Sequence, residues 1–144
     1  MIYLDSSVVF SAQVKDANTL AATTLLQSAR ESLALTRLCE VEFVNAVSLR
    51  LFRKEISDVQ AQASIADLEK NLYRGIFQLL PFHDSTFTRA KALALTLTPI
   101  IGVRAADLLH VAAAIELGAR SLFTFDLKQH RAAQAAGLAV NPLP

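Results

Sequence analysis

Residues 104–126 read RAADLLHVAAAIELGARSLFTFD, a helix running into a short strand. Leu108, Leu109, Val111, Ala112, Ala113, Ile115 and Leu117 make the helix apolar nearly all round. Such a helix is buried on most sides. Gly118 supplies the left-handed stop expected just past a helix end. SLFTF then has the composition of a buried strand, with Asp126 at its carboxyl end. Asp107 and Asp126 therefore bracket the most hydrophobic unit of the chain. A carboxylate taken out of water is costly unless it is paired or binds a cation.

The same alternation extends outward in both directions. MIYLD opens as a strand ending in Asp5, and Ser6 and Ser7 are placed to cap a short helix through VVFSAQV. A helix is predicted over Thr19–Arg30, a strand over LALT, and a helix from Leu38 to Arg53. Both sides of that last helix carry apolar residues, so periodicity leaves its core face open. Ser57 and Gln60 make a capping box for a helix to Tyr73, closed by Gly75. IFQLLPF is the third strand, and Asp84 is placed to cap a helix ended by Thr98-Pro99. A helix over LKQHRAAQAAG and a strand LAV complete the pattern. Five short apolar strands separated by helices predict an α/β fold, a mostly parallel sheet with helices on both faces. Right-handed crossovers then bring the carboxyl ends of the strands to one edge, where open α/β sheets carry their sites.

Bulk properties narrow the functional classes. The 144 residues suit one domain, and a hydrophobic fraction of 53% against 19% charged residues describes a compact chain. A net charge of +1 excludes a strongly basic protein held to nucleic acid by bulk electrostatics. No apolar run is long enough to span a bilayer, and no secretory leader pattern is present. Cys39 is the one cysteine, which leaves no internal disulfide and no zinc pattern. The expectation is a cytoplasmic protein. Its high apolar content also favours self-association or a partner covering a groove.

Asp5, Glu42, Asp107 and Asp126 all fall where they can converge on the same sheet edge. Like charges that close repel one another unless a cation compensates. Oxygen donors suit hard divalent ions such as Mg²⁺ or Mn²⁺ better than zinc. Such a site activates water and neutralises charge on a phosphodiester. No phosphate-binding glycine loop and no GxSxG elbow compete with that reading.

Four motifs then make the pattern specific: IYLDSSVV, CEVEFVNA, RAADLLHVAAA and FTFD. In this order and spacing the chain resembles PIN-domain proteins of the VapC type, the toxins of type II toxin–antitoxin pairs. The resemblance covers the whole chain and implies a single PIN domain over residues 1–144, with a three-layer α/β/α fold. It implies an Mg²⁺- or Mn²⁺-dependent endoribonuclease, neutralised by a cognate VapB-type antitoxin and commonly a homodimer. Asp5 and Asp107 match the positions most directly tied to the metal. Glu42 matches the helix glutamate, three residues before Asn45, with Glu40 as its rival. Asp126 matches the fourth acid, and Ser6 and Thr124 match hydroxyl positions able to orient a carboxylate or a water.

Bland roles stand beside these. His110, three residues after Asp107, is expected as a hydrogen-bonded packing residue rather than a catalytic base, Arg104 as a structural partner of a carboxylate rather than a phosphate contact, and Cys39 as a buried hydrophobe. Arg50, Arg53, Lys54, Arg74, Lys128 and Arg131 are candidates for contacts with RNA phosphates, although scattered basic residues are usually plain surface. A non-catalytic PIN-like binding module is the alternative function, although it has no need of a complete acidic set. An acid-site phosphatase needs a second aspartate at position 7, which is serine. A nuclease acting on DNA flaps would share the metal chemistry.

Overall fold

The computed structural model describes residues 1–144. In chain order the elements are β1 (Ile2–Leu4), α1 (Ser6–Gln13), α2 (Thr19–Ser28), β2 (Leu33–Thr36), α3 (Arg37–Phe52) and α4 (Asp58–Tyr73). There follow β3 (Phe77–Leu80), α5 (Asp84–Ile101), α6 (Ala105–Glu116), β4 (Ser121–Phe123), α7 (Leu127–Ala135) and β5 (Ala139–Val140). The sheet order is β3-β2-β1-β4-β5, and every neighbouring pair is parallel. The chain builds outward from β1 to β3, then returns to the other side of β1 with β4. A switch point of this kind opens a crevice at the carboxyl ends of β1 and β4.

Strand alternation divides the core between the two faces of the sheet. Ile2 and Leu4 join Val9, Leu35, Cys39, Phe43, Val47, Leu68 and Phe77 on one side. Tyr3 points into the other, with Leu108, Val111, Ala114, Leu122, Ala132 and Leu138. The helix of residues 105–116 is buried at Asp107, Leu108 and each position from His110 to Ala114, as its all-round apolar character requires. Three layers result, as expected from the sequence.

Several local expectations are corrected. Asp5, not Ser6 or Ser7, caps α1, accepting from the Ser7 backbone N–H. Position 83 is the N-cap of α5, and Asp84 is its first residue, where its charge complements the helix dipole. Pro99 does not end that helix, which continues to Ile101. The stop comes from Gly102 in the left-handed conformation, at φ 67°. In α3 the core face left open by periodicity is Cys39, Phe43 and Val47. Leu49 and Phe52 lie outside it, Phe52 at 83% exposure.

Candidate metal centre at the β1–β4 switch point

Asp5 stands directly beyond β1, its backbone N–H donating to the Phe123 carbonyl of β4 at 3.0 Å. The residue is 5% exposed, and its carboxylate is held on both oxygens. Oδ2 accepts from the Ser7 hydroxyl at 2.5 Å, the Ser7 N–H at 3.1 Å and the Thr124 hydroxyl at 3.1 Å. Oδ1 accepts from the Gln129 amide at 3.3 Å. Strand end, helix cap and site therefore share one carboxylate.

Glu42 reaches the same place from the flank of α3. Its Oε2 accepts from the Ser6 hydroxyl and lies against Nε2 of His110, each at 2.7 Å. His110 Nε2 is also 3.5 Å from Asp5 Oδ1. One ligand atom from each of Asp5, Glu42 and His110 falls within 4.8 Å of the others. Glu40 is elsewhere, paired with exposed Arg37 at 3.5 Å. The rivalry between the two glutamates resolves to Glu42 as the one that meets the cluster.

Behind the cluster runs a buried polar chain. His110 Nδ1 is 2.9 Å from the Tyr3 hydroxyl, which is 2.9 Å from Thr36 Oγ1. Burial pulls the His110 pKa down, but the hydrogen bond to Glu42 and the charges of Asp5, Glu42 and Asp107 outweigh it and raise the value. A protonated ring would donate from both nitrogens, to Glu42 and to the Tyr3 hydroxyl. For Glu42, burial works upward, and His110, Ser6 and Arg104 overcome it to lower the pKa. Burial pushes the Tyr3 phenol far above its usual range.

Asp107 and Asp126 are gathered by Arg104. The guanidinium donates to Asp107 Oδ2 at 3.0 Å and Oδ1 at 3.3 Å, and to Asp126 Oδ2 at 3.3 Å. The other oxygen of Asp126 caps α7, accepting from the N–H groups of Lys128 and Gln129 at 2.9 Å. Asp107 sits outside the tight Asp5–Glu42–His110 group but joins it through Gln129, whose amide also donates to the Asp107 carbonyl at 3.4 Å. Gln129 is fully buried, and its Oε1 has no hydrogen-bond partner.

The donor chemistry suits a divalent cation. The site gathers several carboxylates against one imidazole and one guanidinium, and the orphaned Gln129 Oε1 would be satisfied by water brought with an ion. Hard cations such as Mg²⁺ keep several waters when bound by a few carboxylates.

Of the residues singled out in the sequence, Asp5 and Glu42 meet at His110, Asp107 and Asp126 meet at Arg104, Ser6 bonds Glu42 and Thr124 bonds Asp5. Arg104 is the carboxylate partner expected, whereas His110, expected as a packing residue, lies inside the cluster. Sequence reading missed Ser7, Tyr3, Thr36 and Gln129. Tyr3 carried a usable signal, because it lies two residues before Asp5, and strand residues two apart share a face. Arg50 is engaged structurally, bonded to Glu55 and lying over the Phe10 ring.

The sequence model of the PIN domain family matches residues 2–135. The chain belongs to the PIN domain family. Solved PIN-fold relatives include the Mycobacterium tuberculosis toxin VapC20, described as cleaving the sarcin-ricin loop. It is 17% identical, with a TM-score of 0.72 over 99% of this chain and 100% of that one. FitAcB from Neisseria gonorrhoeae is 21% identical, with a TM-score of 0.70 over 99% and 97% of the two chains. VapBC2 of Rickettsia felis, bound to a DNA fragment from its promoter, is 22% identical, with a TM-score of 0.67 over 98% of each. No curated protein matches the sequence. No helix of this PIN domain is long and apolar enough to cross a membrane.

Proposed function

We propose that this PIN domain is a VapC-type toxin, an Mg²⁺- or Mn²⁺-dependent endoribonuclease neutralised by a cognate antitoxin. One observation carries the reading: Asp5 and Glu42 meet at His110, Arg104 ties the carboxylates of Asp107 and Asp126, and Gln129 bonds both the Asp5 carboxylate and the Asp107 backbone carbonyl. Asp5 and Asp107 would hold the ion, with Glu42 and Asp126 completing the acidic set. A bound divalent ion supplies acidified water and charge neutralisation at the phosphodiester.

The chain's own residues do the positioning. Ser7, Thr124 and Gln129 fix the Asp5 carboxylate, while Ser6 and the Tyr3–His110 pair fix Glu42. An unpaired RNA segment lies across the strand ends, where its phosphates are accessible to a shallow acidic site.

The partner reading rests on exposed apolar surface. A cavity of about 230 Å³ between α5 and α6 is lined by Phe87, Ala90, Ala94, Leu108 and Leu109. Phe87, Leu95 and Ile100 of α5 are exposed. The α5–α6 cavity suits the apolar carboxyl-terminal segment of an antitoxin, which would bring a basic side chain to the acids. The exposed Val41, Phe52, Val59 and Tyr73 favour a homodimer by the same reasoning.

The test is induced expression of wild type and Asp107→Asn in cells lacking the antitoxin, with sequencing of RNA 5′ ends. Growth arrest with discrete new ends, lost in the variant, is expected. Soluble wild type causing neither arrest nor new ends would move the reading to a non-catalytic PIN-like module.

A further inference from the structure

We infer that Arg104 is a substrate arm parked on the acid cluster. In the RNA-free protein it bridges Asp107 and Asp126. Once a divalent ion takes those carboxylates, it turns onto a phosphate of the bound RNA. The inference rests on the nuclease reading above and assigns a residue that recognises the substrate.

The first observation is one of shared oxygens. Both oxygens of Asp107 and one of Asp126 accept from this guanidinium, while the other Asp126 oxygen is committed to the cap of α7. An ion drawing on either residue therefore competes with Arg104 for the same atoms. Guanidinium and metal are alternative answers to one charge imbalance.

The second is position. The Arg104 side chain is 73% exposed, whereas Asp107 is 10% and Asp126 33% exposed. The cation is thus on the solvent side of the acids, where an RNA strand would arrive. Asp107 is the buried end of the pair, so the guanidinium is released only as an ion takes over the charge of that carboxylate, which couples the swing of the arm to ion binding. A guanidinium freed from carboxylates binds phosphate through the same planar fork.

The third is the anchor. The Arg104 backbone is the N-cap of α6, its carbonyl accepting from Leu108 N–H at 3.1 Å, a bond no ion contests, while its N–H donates to Asp107 Oδ2 at 3.3 Å. The arm can swing without unwinding the helix that carries Asp107. The other nearby cation, Lys128, is tied to the Gly102 carbonyl at 3.1 Å.

The two roles predict opposite effects of one substitution. Calorimetric titration with Mn²⁺, without RNA, compares the full chain with Arg104→Gln. Removing the competitor tightens Mn²⁺ binding by about two- to tenfold, the net worth of one hydrogen bond to the contested carboxylates. Binding of a labelled single-stranded RNA of mixed sequence is then measured in Ca²⁺. The variant binds roughly tenfold more weakly, and its slope of log affinity against log salt falls by about 0.7, one phosphate contact on a single strand. Arg104→Lys keeps the charge without the fork, so the slope survives and affinity is intermediate.

Mn²⁺ affinity unchanged or weakened in Arg104→Gln, or an unchanged RNA salt slope, overturns the arm and leaves Arg104 as a helix cap. Either outcome counts against the arm alone when the wild type itself binds Mn²⁺ and cleaves RNA. A wild type that does neither overturns the nuclease reading, and the arm falls with it.

Discussion

His110 Nε2 lies 2.7 Å from Glu42 Oε2, at the meeting of two helices on opposite faces of the sheet. The imidazole is fully buried, and its other nitrogen is held by Tyr3. It is the only basic side chain inside the cluster, because Arg104 approaches from solvent. A buried charge that loses its partner is strongly destabilising.

His110→Leu therefore leaves Asp5 and Glu42 facing each other without compensation. Removing one partner of a buried pair costs about 3–5 kcal/mol. In metal-free urea unfolding the variant should fall short of wild type by roughly the lower end of that range, since Glu42 is 29% exposed. Added Mn²⁺ should restore part of the loss. A deficit below about 1 kcal/mol, within the usual range of exposed ion pairs, would remove the counter-ion role.

The two glutamates of CEVE should separate cleanly. Glu40 pairs with an Arg37 side chain that is 78% exposed, so Glu40→Gln should change stability by less than about 1 kcal/mol and leave RNA cleavage unchanged. Glu42→Gln should reduce cleavage by about 10- to 100-fold or more, the cost of losing a group that orients or binds a metal. Parallel cleavage assays decide it. Equal activity in both variants would take Glu42 out of the site.

Much of this site was legible because its acids fall at positions that local rules mark: Asp5 directly after a strand and Asp107 in the first turn of a helix. Asp126, expected at the end of an SLFTF strand, is instead the N-cap of α7, because β4 stops at Phe123. The supports needed the sheet order. Tyr3 and His110 are 107 residues apart, and Asp5 and Gln129 are 124 apart. Only the β3-β2-β1-β4-β5 order brings them together, and no local pattern encodes that order. Pro99 misled for the opposite reason. A local rule read it as a stop, while Gly102 supplied the actual one three residues later.

Metal binding should register as stability. A ligand that binds only the folded state at a hundred times its Kd stabilises by about 2.7 kcal/mol. Saturating Mn²⁺ should therefore raise the Tm of wild type, and EDTA should reverse the rise. Asp107→Asn should fold without metal and lose most of that response. A Tm unmoved by Mn²⁺ in wild type would count against a metal centre.

Cys39 offers a probe of the core beneath the site. It is fully buried on α3, and burial, followed by the charges of Asp5, Glu42 and Glu40, pushes its thiol well above its ordinary pKa. The folded protein thus keeps this proton while the unfolded chain loses it near pH ~8.5. Above that pH the unfolded state binds fewer protons than the native state, so stability falls as pH rises further. Two results are expected. A thiol reagent should label Cys39 at about pH 8 only as fast as the protein opens, with denaturant accelerating it. Cys39→Ala should lose some packing stability yet show a shallower decline between about pH 8.5 and 10, above the unfolded thiol's pKa. Immediate stoichiometric labelling of the native protein would mean that α3 is not packed as described.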